Sequence, residues 1–240
     1  MLIHAGIADG RMWDAQMPEF SRHFRVVRYD MRGFGKSSSP DAPFGHHDDL
    51  KSLLDALGIE RAHVAGVSMG ASVALDFTLT YPEMVDRLVL CAALGPPPRS
   101  DSLLAGWAEA EEAYERDGLP AANEVEMKIW VDGPQRTPDQ VNPAVRALVA
   151  EMNLPVLESE EAAEHEATAL DPPAHTRLAE VAARTLVITG DLDQPDVLQY
   201  TSRLAAEISD ARLEIISGAA HMVNMEAAPR FNSLVVNFLT

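Results

Sequence analysis

The segment Gly66-Val67-Ser68-Met69-Gly70 holds a serine between two glycines at the spacing of a sharp turn. Such a turn lifts the serine hydroxyl into a cleft, where it can attack an electrophilic carbon. Ala62 to Ala65 reads as a short buried strand before it, and Ala71 to Leu79 as a helix after it, stopped at Tyr81-Pro82. Strand, turn and helix is the setting this motif requires, and glycines at 66 and 70 keep side chains out of the place where strand and helix converge. The competing reading is an ordinary glycine-flanked turn with no chemistry.

A serine hydroxyl is a weak nucleophile at neutral pH, so it needs a histidine base and a carboxylate to orient that base, here in the chain order Ser, Asp, His. The C-terminal third supplies both. Arg184 to Gly190 is a β-branched apolar run that reads as a buried parallel strand, with Asp191-Leu192-Asp193 at its end and Asp196 nearby. Ala211 to Ile216 reads as another strand, and the loop Ser217-Gly218-Ala219-Ala220-His221 comes after it, before an amphipathic closing helix. A tetrahedral intermediate would also carry an oxyanion, which needs preorganised N–H donors.

On these residues the chain resembles the α/β hydrolase superfamily over nearly its whole length. The resemblance implies an α/β fold with a mostly parallel sheet, helices on both faces and a helical cap insertion. It implies Ser68 as nucleophile, His221 as base and Asp193 as acid, with Asp191 and Asp196 as the alternatives for the acid. The Met69 N–H is the first oxyanion donor. The loop Ile3-His4-Ala5-Gly6-Ile7-Ala8 resembles the family's His-Gly-x loop with Ala5 in place of a glycine, so the second donor falls to Gly6 or Ile7. His4 is expected to hold that loop, and Trp13 to pack beneath it. Asp30-Met31-Arg32-Gly33-Phe34-Gly35-Lys36-Ser37 resembles another family segment, a turn in which Asp30 and Arg32 position neighbouring loops. It is not a phosphate loop, because Asp30 stands where that motif needs glycine.

Acidic residues outnumber basic ones 37 to 19 for a formal charge of −18, which repels phosphate backbones and anionic lipid and argues against nucleic-acid or membrane partners. The single Cys91 excludes an internal disulfide and reads as a small buried residue at a strand end. No apolar run is long enough to span a bilayer and no signal-like leader is legible, so a cytoplasmic location is the expectation. His46-His47-Asp48-Asp49 could suggest a metal cluster, but acidic residues opening a helix over Leu50 to Leu57 suit its dipole better. Neither metal nor cofactor is expected, and the protein is expected to be a monomer or homodimer.

Proline clusters at Pro96-Pro97-Pro98 and Asp171-Pro172-Pro173 bracket a stretch rich in Ala and Glu. The division expected is a core over 1–95, a helical cap over 96–175 and the rest of the core over 176–240. Helices are expected over 102–115, 121–131 and 142–152. Ile7, Trp107, Met127, Trp130 and Met152 are the large apolar residues that could line the pocket, or merely pack the helices together. The segment before His4 is short for this family, so the first two edge strands are expected to be missing, the sheet to have about six strands, and Arg25 to Tyr29 to form an edge.

The function expected is a serine hydrolase acting on a small, largely apolar carboxylic ester or lactone through an acyl-enzyme. An enol-lactone hydrolase, a C–C bond hydrolase or a perhydrolase would use the same residues. A noncatalytic ligand-binding member or an inactive truncated form is the reading from another class.

Overall fold

The computed structural model of the chain describes residues 1–38, 42–162 and 167–240. Five runs, including the expected ones near Ala62 and Cys91 and at 184–190 and 211–216, become strands: β1 (Leu2–Ile3), β2 (Ala62–Val67), β3 (Val85–Cys91), β4 (Arg184–Gly190) and β5 (Ala211–Ile216). They pair in parallel in the order β1-β2-β3-β4-β5. Parallel strands bury both faces, which is why Leu88 to Cys91 of β3 and Leu186 to Ile188 of β4 are unbroken apolar sequence.

The helices are α1 (Met17–Phe20), α2 (His46–Ala56), α3 (Met69–Thr80), α4 (Asp101–Asp117), α5 (Leu119–Met127), α6 (Pro143–Ala162), α7 (Pro195–Glu207), α8 (Val223–Glu226) and α9 (Ala228–Leu239). Side chains alternate across the sheet. Leu88, Leu90 and Val187 pack with Leu54 of α2, Phe77 of α3 and Leu204 of α7. Val89, Cys91 and Ile188 face the other way, towards Trp13, Phe20 of α1 and Phe231 of α9. Helices therefore cover both faces, as the resemblance implied.

Three expectations are corrected. Among the described residues the sheet has five strands rather than six. Arg25 to Tyr29 makes no strand: it meets β1 only through a bridge between Leu2 and Arg28 and a bond from the Leu2 N–H to the Val27 carbonyl. A ladder extends only as far as its partner, and β1 supplies two residues. The helix expected over 121–131 also divides, α5 ending at Met127 and a π-helical turn, Lys128–Asp132, carrying on to Gly133. The expected insertion includes 163–166, which lie outside the described residues. Its other helices, α4 to α6, stand between β3 and β4.

Because every strand runs the same way, all the strand C-termini open on one edge of the sheet, the place where open α/β sheets carry their chemistry. The loops after β1, β2, β4 and β5 meet there. His4 anchors the first of them. Its buried ring donates through Nδ1 to the Ala5 carbonyl at 2.8 Å and accepts the Met31 N–H at Nε2 at 2.9 Å, so it must be neutral. Asp30 holds the neighbouring turn, accepting the N–H groups of Gly10 at 2.8 Å and Lys36 at 2.9 Å. A Cβ on Gly35 would lie 2.4 Å from that carboxylate, which accounts for the glycine. Arg32 forms a forked pair with Asp49, at 2.9 and 2.7 Å, in the first turn of α2.

Burial lowers the His4 pKa from 6.5 to about 4. Between those values the unfolded chain binds a proton that the folded chain refuses, so the stability contributed above pH 6.5 is lost as the pH falls towards 4. The loss amounts to at most about 3 kcal/mol from this group. Urea midpoints measured at pH 7, 5.5 and 4 are expected to fall along this course, and to fall less steeply in His4→Asn, which cannot take up the proton.

Candidate active site

The turn after β2 is shaped by two absent side chains. A Cβ on Gly66 would lie 2.0 Å from the Gly70 carbonyl oxygen, and one on Gly70 would lie 2.5 Å from the carbonyl oxygens of Ile3 and His4. Backbone therefore packs on backbone at the junction of β1, β2 and α3. Ser68 sits between them with φ 55°, a left-handed value rare outside glycine, which costs on the order of 1–3 kcal/mol and persists only where its surroundings impose it. Its N–H donates to the Cys91 carbonyl at 2.8 Å, tying the turn to β3. Ser68 is also the N-cap of α3, so the Met69 and Gly70 N–H groups open that helix and have no acceptor within it. Helix α3 thus starts two residues before the helical run expected from Ala71.

The strand ends bring the partners in. Asp193 and His221 are both buried, and His221 Nδ1 lies 2.9 Å from Asp193 Oδ2 and 3.1 Å from Oδ1. Asp193 also accepts the Gln194 N–H at 2.7 Å. A carboxylate there fixes the imidazole tautomer with its proton on Nδ1, leaving Nε2 free to act as a base. Asp191 is occupied elsewhere, accepting the Ser217 hydroxyl and the Gly218 N–H, both at 2.7 Å, and so bracing the loop that carries His221. Asp196 accepts the N–H and hydroxyl of Ser100. Cys91 is buried at the end of β3, and burial, then the Asp193 charge, pushes its thiol pKa up.

A cavity of about 210 Å³ opens beside Ser68, with His221, Gly6, Ile7 and Trp130 in its wall. Gly6 lies against Met69, since a Cβ there would be 3.5 Å from the Met69 Cβ and Sδ. The indole of Trp130 packs against the His221 imidazole, with ring centroids 4.7 Å apart and the planes inclined at 41°. Trp107, Met127 and Met152 do not line this cavity. Met127 is fully buried in the core and Met152 faces a separate depression beside Asp9 and Arg11. Trp107 lies under the Arg99 guanidinium, 5.9 Å from it. Helical phase decides this, because one residue along a helix turns the side chain by about 100°. Glu126, four before Trp130, faces the cavity while Met127 does not, and Asn153 and Val156, three apart, face it while Met152 does not. Leu94, Glu126, Asn153 and Val156 are wall residues that apolarity and size alone do not pick out. An i, i+3, i+4 pattern anchored on Trp130 would have found Glu126.

Among the described residues no group of three or more His, Cys, Asp or Glu side chains comes together to hold a metal ion. A larger groove of about 800 Å³ lies at the opposite ends of β1 and β2, lined by Met1, Val27 and His63 among others, away from Ser68.

The profile of the alpha/beta hydrolase fold family matches residues 1–228, and the chain belongs to that family. It is 30% identical to a 2-hydroxy-6-oxo-6-phenylhexa-2,4-dienoate hydrolase of Comamonas testosteroni, over all of this chain and 86% of that protein. The enol-lactonase from Burkholderia xenovorans LB400 superposes with a TM-score of 0.80 at 26% identity, over 99% of this chain and 89% of the other. A thermophilic esterase from Thermogutta terrifontis superposes with a TM-score of 0.79 at 26% identity, over 99% and 88%. The protein is thus an α/β-hydrolase enzyme. No helix among its described residues is long and apolar enough to cross a membrane.

The contact between Gly66 and Gly70 gives a direct test. Gly66→Ala is expected to lower stability by about 3 kcal/mol or more, because backbone rather than a flexible side chain must yield. In a chain of this size that corresponds to a drop of about 10 °C in the thermal unfolding midpoint.

Proposed function

We propose that the protein is a serine hydrolase that cleaves a small, largely apolar carboxylic ester or lactone through an acyl-enzyme. The observation that carries this reading is Ser68, held at φ 55° in the wall of a cavity it shares with a histidine bonded to a buried aspartate. Ser68 Oγ attacks the substrate carbonyl carbon while His221 Nε2 takes its proton. Asp193 keeps the imidazole in the tautomer that makes this possible and stabilises the imidazolium that results. The oxyanion accepts hydrogen bonds from the N–H of Met69 and that of Gly6. As the tetrahedral intermediate collapses, His221 returns the proton to the leaving alkoxide. Water then repeats the sequence on the acyl-enzyme, releasing the acid and restoring Ser68.

Size and polarity define the substrate class. About 210 Å³ is below the range of roughly 300–1,000 Å³ typical of drug-sized ligands, so the group held next to Ser68 is short. Apolar side chains dominate the wall, and its described residues include no Lys or Arg. The helices between β3 and β4 act as the cap of this pocket: α5, the π-helical turn and α6 supply Glu126, Trp130, Asn153 and Val156. The substrate is a small molecule, and the proposal needs no metal or cofactor.

A second reading, hydrolysis of a C–C bond on the same residues, is favoured by the whole-chain similarity to the dienoate hydrolase of Comamonas testosteroni. It is weakened by the same wall, because a carboxylate-bearing substrate is best held by a guanidinium fork.

A fluorophosphonate probe is expected to label wild-type protein at one serine and to leave Ser68→Ala unlabelled. Turnover of p-nitrophenyl butyrate should fall on the order of 10³-fold or more in that variant, with folding retained. Labelling of Ser68→Ala at wild-type rate would sink the mechanism. For the acid, Asp193→Asn should lower turnover by about 10⁴-fold by favouring the wrong tautomer, and Asp191→Asn far less, since that carboxylate braces a loop. Steady-state kinetics of the two variants ranks them, and the reverse order would move the acid to Asp191.

A further inference from the structure

Resting on the serine hydrolase reading, we propose that Trp130 is a further catalytic residue, whose indole face stabilises the imidazolium that His221 becomes each time it accepts a proton. From its type and spacing alone this tryptophan is apolar wall. Its position is more specific than that. The two ring centroids are 4.7 Å apart with the planes inclined at 41°, and both residues are buried. A cation within about 6 Å of an indole centroid is attracted by the negative π face, and the attraction grows where water is excluded. In the acylation step the proton leaves Ser68 Oγ for His221 Nε2, so positive charge develops on the ring packed against the indole, and it disappears when the proton passes to the leaving group. The indole contributes most when that charge is greatest, which is the condition for accelerating the reaction rather than tightening binding.

The fold holds the indole there from several sides. Trp130 lies in the π-helical turn, whose Ile129 carbonyl accepts the Gln194 side-chain amide at 2.7 Å, and Gln194 directly follows Asp193. Gly133 closes the turn so tightly against Leu192 that a Cβ would lie 2.6 Å from the Leu192 carbonyl oxygen. Arg136 donates to the Val131 and Asp132 carbonyls at 2.7 and 2.8 Å and pairs with Glu226 at 2.6 Å. The other Glu226 oxygen accepts the N–H of Ala220, next to His221, at 3.0 Å. The turn therefore grips both the acid loop and the histidine loop.

Two effects of an indole on a histidine oppose each other. As apolar cover it disfavours the charged ring, whereas as a π donor it favours it. The groups facing His221 from other elements are Asp193 on the loop after β4, Ser68 at the turn after β2, Glu126 across the cavity on α5, and the Arg136–Glu226 pair behind Ala220. All of them remain when Trp130 alone is replaced, so the direction of change reports the ring.

The experiment compares wild type with Trp130→Leu, which keeps apolar cover without a π face, and Trp130→Phe, which keeps a weaker face. The kcat/KM of p-nitrophenyl butyrate is measured from pH 4 to 9. The plateau is expected to fall about tenfold in Trp130→Leu, equivalent to about 1.4 kcal/mol, and less in Trp130→Phe. The acid limb of the profile should move to lower pH in the same order, because protonated His221 has lost its stabiliser. A limb that stays in place or moves to higher pH overturns the proposal, since loss of cover or of packing gives one of those results. If Trp130→Leu does not fold, wild type carrying fluorinated tryptophans weakens the π face at nearly constant shape. The limb must then move down with each fluorine, whereas fluorination must leave the limb of Trp130→Phe where it is, because there only Trp13 and Trp107 carry the label. Failure of the hydrolase reading is distinguishable: wild type then turns over no ester. NMR titration of the His221 ring still decides the inference, a lower titration point in Trp130→Leu supporting it and an equal or higher one overturning it.

Discussion

At the top of β2, backbone contacts backbone, and the arrangement of everything around the site is governed by that contact. The Gly70 carbonyl stands where a Gly66 side chain would be, and the Ile3 and His4 carbonyls stand where a Gly70 side chain would be. Three elements can approach this closely only where two Cβ atoms are missing, and their approach leaves Ser68 no ordinary backbone conformation. The strain at Ser68 is thus imposed by the strand before it, the helix after it and the loop from β1. The same contact brings Gly6 against Met69, so the proposed nucleophile and the proposed oxyanion donors are set by one packing event.

Around this junction, buried polar side chains fix the loops that the sheet edge only brings near one another. Gln16 donates to the Asn224 carbonyl at 2.8 Å and the Asn232 side chain at 2.9 Å. Asn224 donates to the Met12 carbonyl at 3.0 Å and Asn232 to the Ala15 carbonyl at 3.1 Å. These bonds join the segment after Gly6 to the helices after His221. Buried amides are tolerated when their partners are supplied, and they specify one arrangement where apolar contacts would permit several. Asp191 works in the same way, giving its carboxylate to backbone and hydroxyl donors of the His221 loop. Two aspartates two residues apart therefore have different tasks, one directed at the imidazole and the other at the loop beneath it.

The helical segment between β3 and β4 is joined to the site by more than coverage. Its buried Asp132 receives Arg146 at 2.9 Å, and Arg136 ties the π-helical turn to Glu226. Removing one member of such a buried pair leaves an unpaired charge, which makes the join costly to break. Much of the chain's acidity is balanced locally in exposed pairs such as Lys51–Asp55 and Arg203–Glu207, which contribute little stability and leave the excess negative charge on the surface.

Short-range sterics and hydrophobic period are legible without any tertiary contact. The apolar runs at 62–67, 184–190 and 211–216, the glycines flanking Ser68 and the stop at Pro82 each report a local backbone requirement, and the structure meets them. The resemblance read from those residues also identified the family and its parallel sheet with helices on both faces. Matters that depend on residues far apart in the chain are settled by tertiary packing instead. The resemblance favours Asp193 over Asp191 without excluding the latter, and the contacts tell them apart: Asp193 lies 2.9 Å from His221, whereas Asp191 is bonded to Ser217 and Gly218. Met127, Met152 and Trp107 are as apolar as a pocket residue should be, yet the phase of their helices against the sheet turns them elsewhere and brings Glu126 and Asn153 to the cavity. Arg25 to Tyr29 has the composition of a strand, but strand formation needs a partner, and β1 offers only two residues. The indole of Trp130 reaches His221 because a π-helical turn is held between two loops, a contact between residues 91 positions apart that no local pattern encodes.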